Sequence, residues 1–359
     1  MDSTTIHNPE NNTSHITHEW QLRMNPVRIG IVGLGKNTRD RHLPGFRAIK
    51  AVEIISVCNR SLESSERAAK QFAIPKTFDV WQELVCDDDI DAVMIGTWPY
   101  VHCPVALAAL EHGKHVLTEA RMASSLAEAR RMLDASNAHP ELITQVVPSP
   151  LGFRAGSRLR QMLSDGYLGE LREFVVHGAN ADFANPDAPL HWRQSEQFSG
   201  INMLALGILH EALMRWIPDP VKVFASSATF RKDASRPDSV HILTELPGGA
   251  RGVYHLSGVV HHGSGFAVEL YGTHGTLKYD FANDRLLAGK SKDSDLSEVV
   301  VPTDEQGRWR VEADFVEAIR NGEPPVLTDF SAGVRYMEFT EAVERSAHNC
   351  SPVRLPLTD

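Results

Sequence analysis

The sequence predicts an α/β protein whose first half is a doubly wound parallel sheet and whose second half is an α/β unit rich in strands. Three observations predict it. Short apolar runs alternate with helical patterns between residues 27 and 147, as βαβ units require. A Gly-x-Gly turn, Gly33-Leu34-Gly35, directly follows the first of those runs. In the second half, β-rich runs alternate with turn signals.

VRIGIV (27–32) is continuously apolar, as a strand buried on both faces is. VEIISVC (52–58) is the next strand, and SLESSERAAKQF seeds a helix behind it. DAVMIG (91–96) leads to the helix PVALAALEHG (104–113), which Gly113 stops. The strand HVLTE (115–119) is followed by the helix SSLAEARRMLDASNA (124–138), with Ser125 and Glu128 at capping-box spacing. ELITQVV (141–147) closes the series. Beyond it LREFVVHG, VKVFASSATF, SVHILTEL, ARGVYHLSG and FAVELYG read as strands, and TELPGGARG (244–252) as a hairpin connection.

A chain of 359 residues has room for two domains of roughly 150 residues or more and needs no staples to bury its core. The net charge of −10 argues against a nucleic-acid or anionic-membrane partner. No apolar run approaches the ~18 residues of a spanning helix, and the polar first 24 residues lack the apolar stretch of a signal peptide. Cys58, Cys86, Cys103 and Cys350 form no CxxC and read as reduced thiols of a cytoplasmic protein, with no metal site. The organisation expected is a mobile tail at 1–24, a Rossmann dinucleotide-binding domain at 25–147, and a C-terminal domain at 148–359.

The Gly-x-Gly turn opens the dinucleotide site. Gly33 permits the tight turn, and Gly35 lets the backbone approach a pyrophosphate, with Asn37 and Thr38 beginning the next helix. Thr38 stands where a third glycine is usual, which predicts looser packing of helix on strand. The second strand ends in Asn59-Arg60-Ser61, without the carboxylate that bonds an NAD ribose. Arg60 and Ser61 suit a 2′-phosphate, so NADP is expected ahead of NAD.

From residue 26 to about 355 the chain resembles the glucose–fructose oxidoreductase/inositol dehydrogenase (Gfo/Idh/MocA) family. The likeness rests on VRIGIVGLGK, GTWPYVH (96–102), ALAALEHGKHVLTE, DGYLGEL (165–171), HWR (191–193), ELYGTHGTL (269–277), ADFVEAIRNGEPP and the last helix EFTEAVERSA. It implies a second α/β domain with a large, open, mostly antiparallel sheet, and pairing of such sheets into a homodimer or homotetramer. It also implies that Thr97, Trp98 and Pro99 lie near the nicotinamide half, with Glu119 beside them.

The chain departs from that family where protons move. The family's Glu-Lys-Pro is similar to Glu119-Ala120-Arg121, so alanine stands in the lysine position. The Asp and His of a second hallmark helix match Ala205 and Leu209, and a further acidic position matches Ala212. Arg121 stays protonated; it holds an anion or polarises an oxygen but is no base. This predicts a preference for anionic or carbonyl-bearing ligands.

Replacement candidates are His102 after the nicotinamide loop, His191 and Arg193 in the HWR segment, and His210 beside the vacant histidine position. Asn202 is expected on the same helix, within about 60° of Ala205. Each has a structural alternative: His102 as a helix-entry residue, His210 as core, Asn202 as a helix start. Three functions fit. One is an NAD(P)-dependent oxidoreductase acting on a sugar, polyol or related hydroxylated small molecule through a non-standard proton relay. Another is a catalytically inactive NAD(P)-binding sensor or scaffold. The third is a non-redox enzyme with a retained cofactor.

Overall fold

The computed structural model describes residues 26–325 and 327–358, so the tail expected at 1–24 lies outside the described residues. Six strands form the first sheet: β1 (Val27–Val32), β2 (Val52–Cys58), β3 (Lys76–Phe78), β4 (Ala92–Ile95), β5 (His115–Thr118) and β6 (Thr144–Val146). They are all parallel, in the order β3-β2-β1-β4-β5-β6. The order reverses between β1 and β4, which makes the carboxyl ends of those two strands the switch point of the sheet. Strand β3 and the short helix Trp81–Val85 have too weak a pattern to read from the sequence.

The helix expected at 104–113 begins earlier, at Pro99, and runs to Glu111. Pro99 occupies its first turn, where a missing N–H costs nothing, and Pro104 frees the carbonyl of the exposed Tyr100. Ser125 caps the helix Leu126–Ala138 by accepting from the Glu128 N–H, while Glu128 returns to the Ser124 N–H.

The second sheet holds nine strands: β7 (Leu171–Ala179), β8 (Lys222–Ala228), β9 (Ser239–Glu245), β10 (Arg251–Ser257), β11 (Gly265–Gly272), β12 (Gly275–Asp280), β13 (Arg285–Lys290), β14 (Ser297–Glu298) and β15 (Val353–Arg354). Their order is β14-β13-β12-β11-β7-β10-β9-β8-β15, open at both ends and antiparallel except for the β7–β10 pair. Residues alternate across it. Val240 and Ile242 face a core built on the helices Phe153–Ser164 and Leu206–Met214, while His241 and Leu243 face outward. Phe224, Leu243 and Val253 leave an apolar patch on the outer face.

The chain does not part cleanly at residue 147. The helix Val311–Asn321 joins the core on one face of the first sheet. In the helix Phe330–Asn349, Phe330, Tyr336 and Met337 pack against the first sheet's other core, and Phe339, Ala342 and Val343 against the second sheet. The segment expected at 148–359 therefore completes the first unit as well, because both faces of a parallel sheet must be covered.

Candidate active site at the switch point

The loops after β1, β2, β4 and β5 meet at one edge of the first sheet. Gly33 turns there at φ +88°, a left-handed conformation open to glycine. A helical segment begins at Lys36, directly behind Gly35, and a Cβ on Gly35 would touch only the Gly96 carbonyl at 3.5 Å. Backbone amides at a helix start with room above them fit a pyrophosphate. Thr38 does not loosen the packing as the sequence suggested. It is buried, and a Cβ on Gly96, at the end of β4, would overlap both its hydroxyl and the Gly33 carbonyl. The third glycine has in effect moved across to the facing strand.

Asn59 supports the turn: its Oδ1 accepts from Leu34 N–H at 2.8 Å and its Nδ2 donates to the Ser64 carbonyl at 3.1 Å. Arg60 and Ser61 lie exposed beyond it, Ser61 capping the helix Leu62–Phe72. Thr97 and Trp98 are half-buried and Pro99 is buried beneath them. The Trp98 ring lies 6.4 Å from Trp192 and 4.5 Å from Phe198, which brings the second half of the chain against the 97–99 loop.

Glu119 ends β5 and accepts a hydrogen bond from the Asn37 amide. It also accepts from His42 Nε2 at 3.0 Å, and the other ring nitrogen of His42 donates to Glu312 Oε1 at 2.6 Å. His42 is fully buried. Burial alone would lower its pKa, but the two carboxylates outweigh it and hold the imidazole up to about 9. Glu119 in turn is held below the usual range, its burial overcome by His42 and Asn37. Glu312 also accepts from the Trp309 indole and borders a cavity of about 660 Å³ lined by Arg41, Pro150, Phe153 and Arg154. Sequence reasoning missed His42 and Glu312; the available signal was a histidine within the first helix, beside the apolar Leu43 and Phe46.

The histidines expected as bases are placed unequally. His102 is buried, with Nδ1 against the Arg121 carbonyl at 3.0 Å and Nε2 against the Thr97 carbonyl at 3.1 Å. Burial keeps its pKa low, so the neutral ring donates to one carbonyl at a time, and its place between them ties the segment after β5 to the 97–99 loop. His210 lies in the core of the second sheet, stacked on Phe339 at 3.7 Å and bonded to Tyr254. Burial drives its pKa down to about 3, and it is not part of the cluster at the elbow.

Asn202 does not lie on a helix. Residues 200–204 are held by the 123–124 backbone, through Ile201 N–H to Ser124 O and Asn202 Nδ2 to Ala123 O, so the helix starts only at Leu206. The helical angle from Ala205 therefore does not apply to Asn202, whose Oδ1 is buried and unpartnered.

His191, Arg193 and Arg121 do come together. His191 Nδ1 accepts from the Arg193 N–H at 3.2 Å, which fixes the tautomer with Nε2 as the donor. Its pKa is lowered by burial and by the charges of Arg193 and Arg121. Both guanidinium groups pack on the Trp192 ring, at 4.3 Å for Arg193 and 5.5 Å for Arg121. Burial, with Arg193 nearby, pushes the Arg121 pKa down to about 9, so it remains a cation at neutral pH. Among the described residues no cluster of His, Cys, Asp or Glu fits a metal ion, and no helix is long and apolar enough to cross a membrane.

A family model described as an oxidoreductase family with an NAD-binding Rossmann fold, Gfo/Idh/MocA, matches residues 27–146. Its companion, a Gfo/Idh/MocA C-terminal domain, matches residues 157–278. An uncharacterised oxidoreductase of Rhizobium meliloti is 26% identical, over 90% of this chain and 98% of its own. A dTDP-3,4-didehydro-2,6-dideoxy-α-D-glucose 3-reductase of Saccharopolyspora spinosa is 28% identical, over 85% of this chain and 92% of its own. Among solved structures, an oxidoreductase domain protein from Kribbella flavida has a TM-score of 0.84 at 22% identity, covering 93% of this chain and 100% of that one. Levoglucosan dehydrogenase in complex with NADH and L-sorbose has a TM-score of 0.82 at 21% identity with the same coverage. The two structures speak for the fold. With the two family models spanning about two-thirds of its length, the chain belongs to the Gfo/Idh/MocA family of oxidoreductases.

Proposed function

We propose that the protein is an NAD(P)-dependent oxidoreductase of the cytoplasm that moves a hydride to or from a hydroxylated small molecule of the sugar or polyol class. The observation that carries this reading is the convergence at the switch point. The Gly33–Gly35 turn, the loop at 97–99 and Glu119 gather at the switch point, and the His191 to Arg193 segment packs against them through Trp98 and Trp192. Relatives named for a dTDP-linked deoxysugar and for levoglucosan support a hydroxylated ring as substrate.

Bound NAD(P)+ supplies the hydride acceptor. The chain's own residues would do the rest. Amides behind Gly35 hold the pyrophosphate, and Asn59 keeps the turn in shape. Arg60, exposed in the turn after β2, would receive a 2′-phosphate, which favours NADP over NAD. Glu119, kept ionised by His42 and Asn37, would accept a hydrogen bond from the reacting hydroxyl and take its proton as the hydride leaves. His191 Nε2–H donates to a substrate oxygen. The exposed outer face of the second sheet is the surface for self-association into a homodimer or homotetramer.

The test is titration of the nucleotide-stripped protein with NADPH and NADH, followed by nicotinamide fluorescence, and then a screen of sugars and polyols at 340 nm. Tighter binding of NADPH, reduced about tenfold by Arg60→Ala with NADH little changed, is the expected result. Failure to bind either nucleotide would overturn the reading. Binding without turnover on any substrate would favour a sensor instead.

A further inference from the structure

We propose that the substrate carries an oxyanion, first of all a carboxylate, seated between Arg121 and Arg193 against the Trp192 ring. This rests on the preceding reading that the elbow after β5 is the substrate side of the nicotinamide site.

The Arg121 side chain is among the largest fully buried ones, yet its Nε, Nη1 and Nη2 have no hydrogen-bond partner among the described residues. A guanidinium carries five donors in a fixed fork, and leaving them unmet away from water is costly. The same chain shows how it treats its other buried arginines. Arg215 is tied to Glu211 and to the carbonyls of Ser149 and Leu151. Arg236 is tied to Glu344 and the Ile201 carbonyl. Arg121 is the exception among these. The charged group acting most on it is a second cation, Arg193, itself largely buried and packed over the Trp192 face.

Among the described residues no carboxylate forms an ion pair with either cation. From the elbow, Glu119 acts on Arg193 at a distance while it is bonded to His42 and Asn37. Asp182 acts on Arg193 and His191 at a distance, with no ion pair to either. From the helix Leu206–Met214, Glu211 is committed to Arg215, and Gly207 leaves just enough room for the Arg121 stem, 3.0 Å from where its Cβ would be. From the helix Phe330–Asn349, Tyr336 presents a hydroxyl already bonded to the Met122 N–H.

Two cations, one flat aromatic wall and a His191 N–H donor on the same segment match a planar two-oxygen anion. A neutral hydroxyl or ketone oxygen would leave both charges uncompensated. A phosphate group has the same attraction, so the source of the anion is an arm of the test.

The test uses the full chain loaded with NADPH or NADH, at constant ionic strength set with chloride. D-gluconate is compared with D-glucitol, which differs at the carboxyl carbon, and with inorganic phosphate. Tryptophan emission and Tm are recorded, since Trp192 lies between the two arginines and Trp98. Gluconate is expected to shift both at concentrations about tenfold below glucitol. Arg121→Gln and Arg193→Gln are expected to lose that preference, with Arg121→Lys keeping part of it. Arg121→Met without ligand is expected to melt above the parent, because it removes a buried unpaired charge.

Phosphate outperforming gluconate would keep the anion site and assign it to a phosphorylated substrate. If neither anion affects the parent more than Arg121→Gln, the proposal is wrong. Nucleotide binding is measured in the same samples, so loss of NADPH and NADH binding would count against the proposed function rather than against the anion site.

Discussion

His42 shows how one residue can organise a site from behind. It holds two carboxylates from distant parts of the chain, Glu119 and Glu312, through both ring nitrogens, and this requires the imidazolium form. Its folded pKa, about 9, lies above the ordinary 6.5. The stability it contributes is therefore complete below about pH 6.5 and is lost as pH rises through about 9. We expect the Tm of the parent to fall across that window and His42→Gln to show a flatter profile. The variant should also be less stable at pH 6 by about 3 kcal/mol, the order expected when a buried ion pair loses one member. Melting curves between pH 6 and 10 decide it; an unchanged profile in the variant would mean that another group sets the pH dependence. Neither His42 nor Glu312 could be paired from the sequence, because a hydrogen bond across 270 positions leaves no local pattern.

At the scale of elements, strands β1, β2, β4 and β5 were legible because each is an apolar-rich run, buried almost throughout in β1 and β4. The start of the helix Leu206–Met214 was not. The apolar, helix-favouring run from residue 200 gives no warning that Asn202 and Ile201 bond the 123–124 backbone instead. The helix after Gly35 teaches a related lesson. Its usual glycine is replaced by Thr38, and the room comes from Gly96 on the facing strand. Gly96→Ala should thus cost about 1–3 kcal/mol by overpacking and weaken NADPH binding by moving the turn. Thr38→Gly in the same chain should restore only part, since the Gly33 carbonyl still obstructs the new methyl. Chemical denaturation and nucleotide titration of the single and double variants test this; a fully stable Gly96→Ala protein would show the contact to be loose.

For the whole molecule, the nine-stranded sheet has one covered face and one bare one. The bare face carries Phe224, Leu243 and Val253, and across β7, β10 and β9 it carries His177, His255 and His241 in register, the last two stacked at 5.0 Å. Light scattering of the parent should report a dimer or tetramer, and Leu243→Lys, at the centre of β9, should shift it toward monomer with the fold retained. A monomeric parent would remove the self-association surface from the proposal. The sequence by itself determined the Rossmann pattern and the Gly-x-Gly turn, since each is carried by residues a few positions apart. Tertiary structure alone decided which polar residues meet. It sent His210 into the core, set His102 between the backbone carbonyls of Thr97 and Arg121, and joined His42 to Glu119 and Glu312. It also buried Arg121 unpaired beside Arg193. Burial and partner choice are properties of packing between segments far apart in the chain, and it is burial and partners that determine whether a side chain carries charge, donates or accepts.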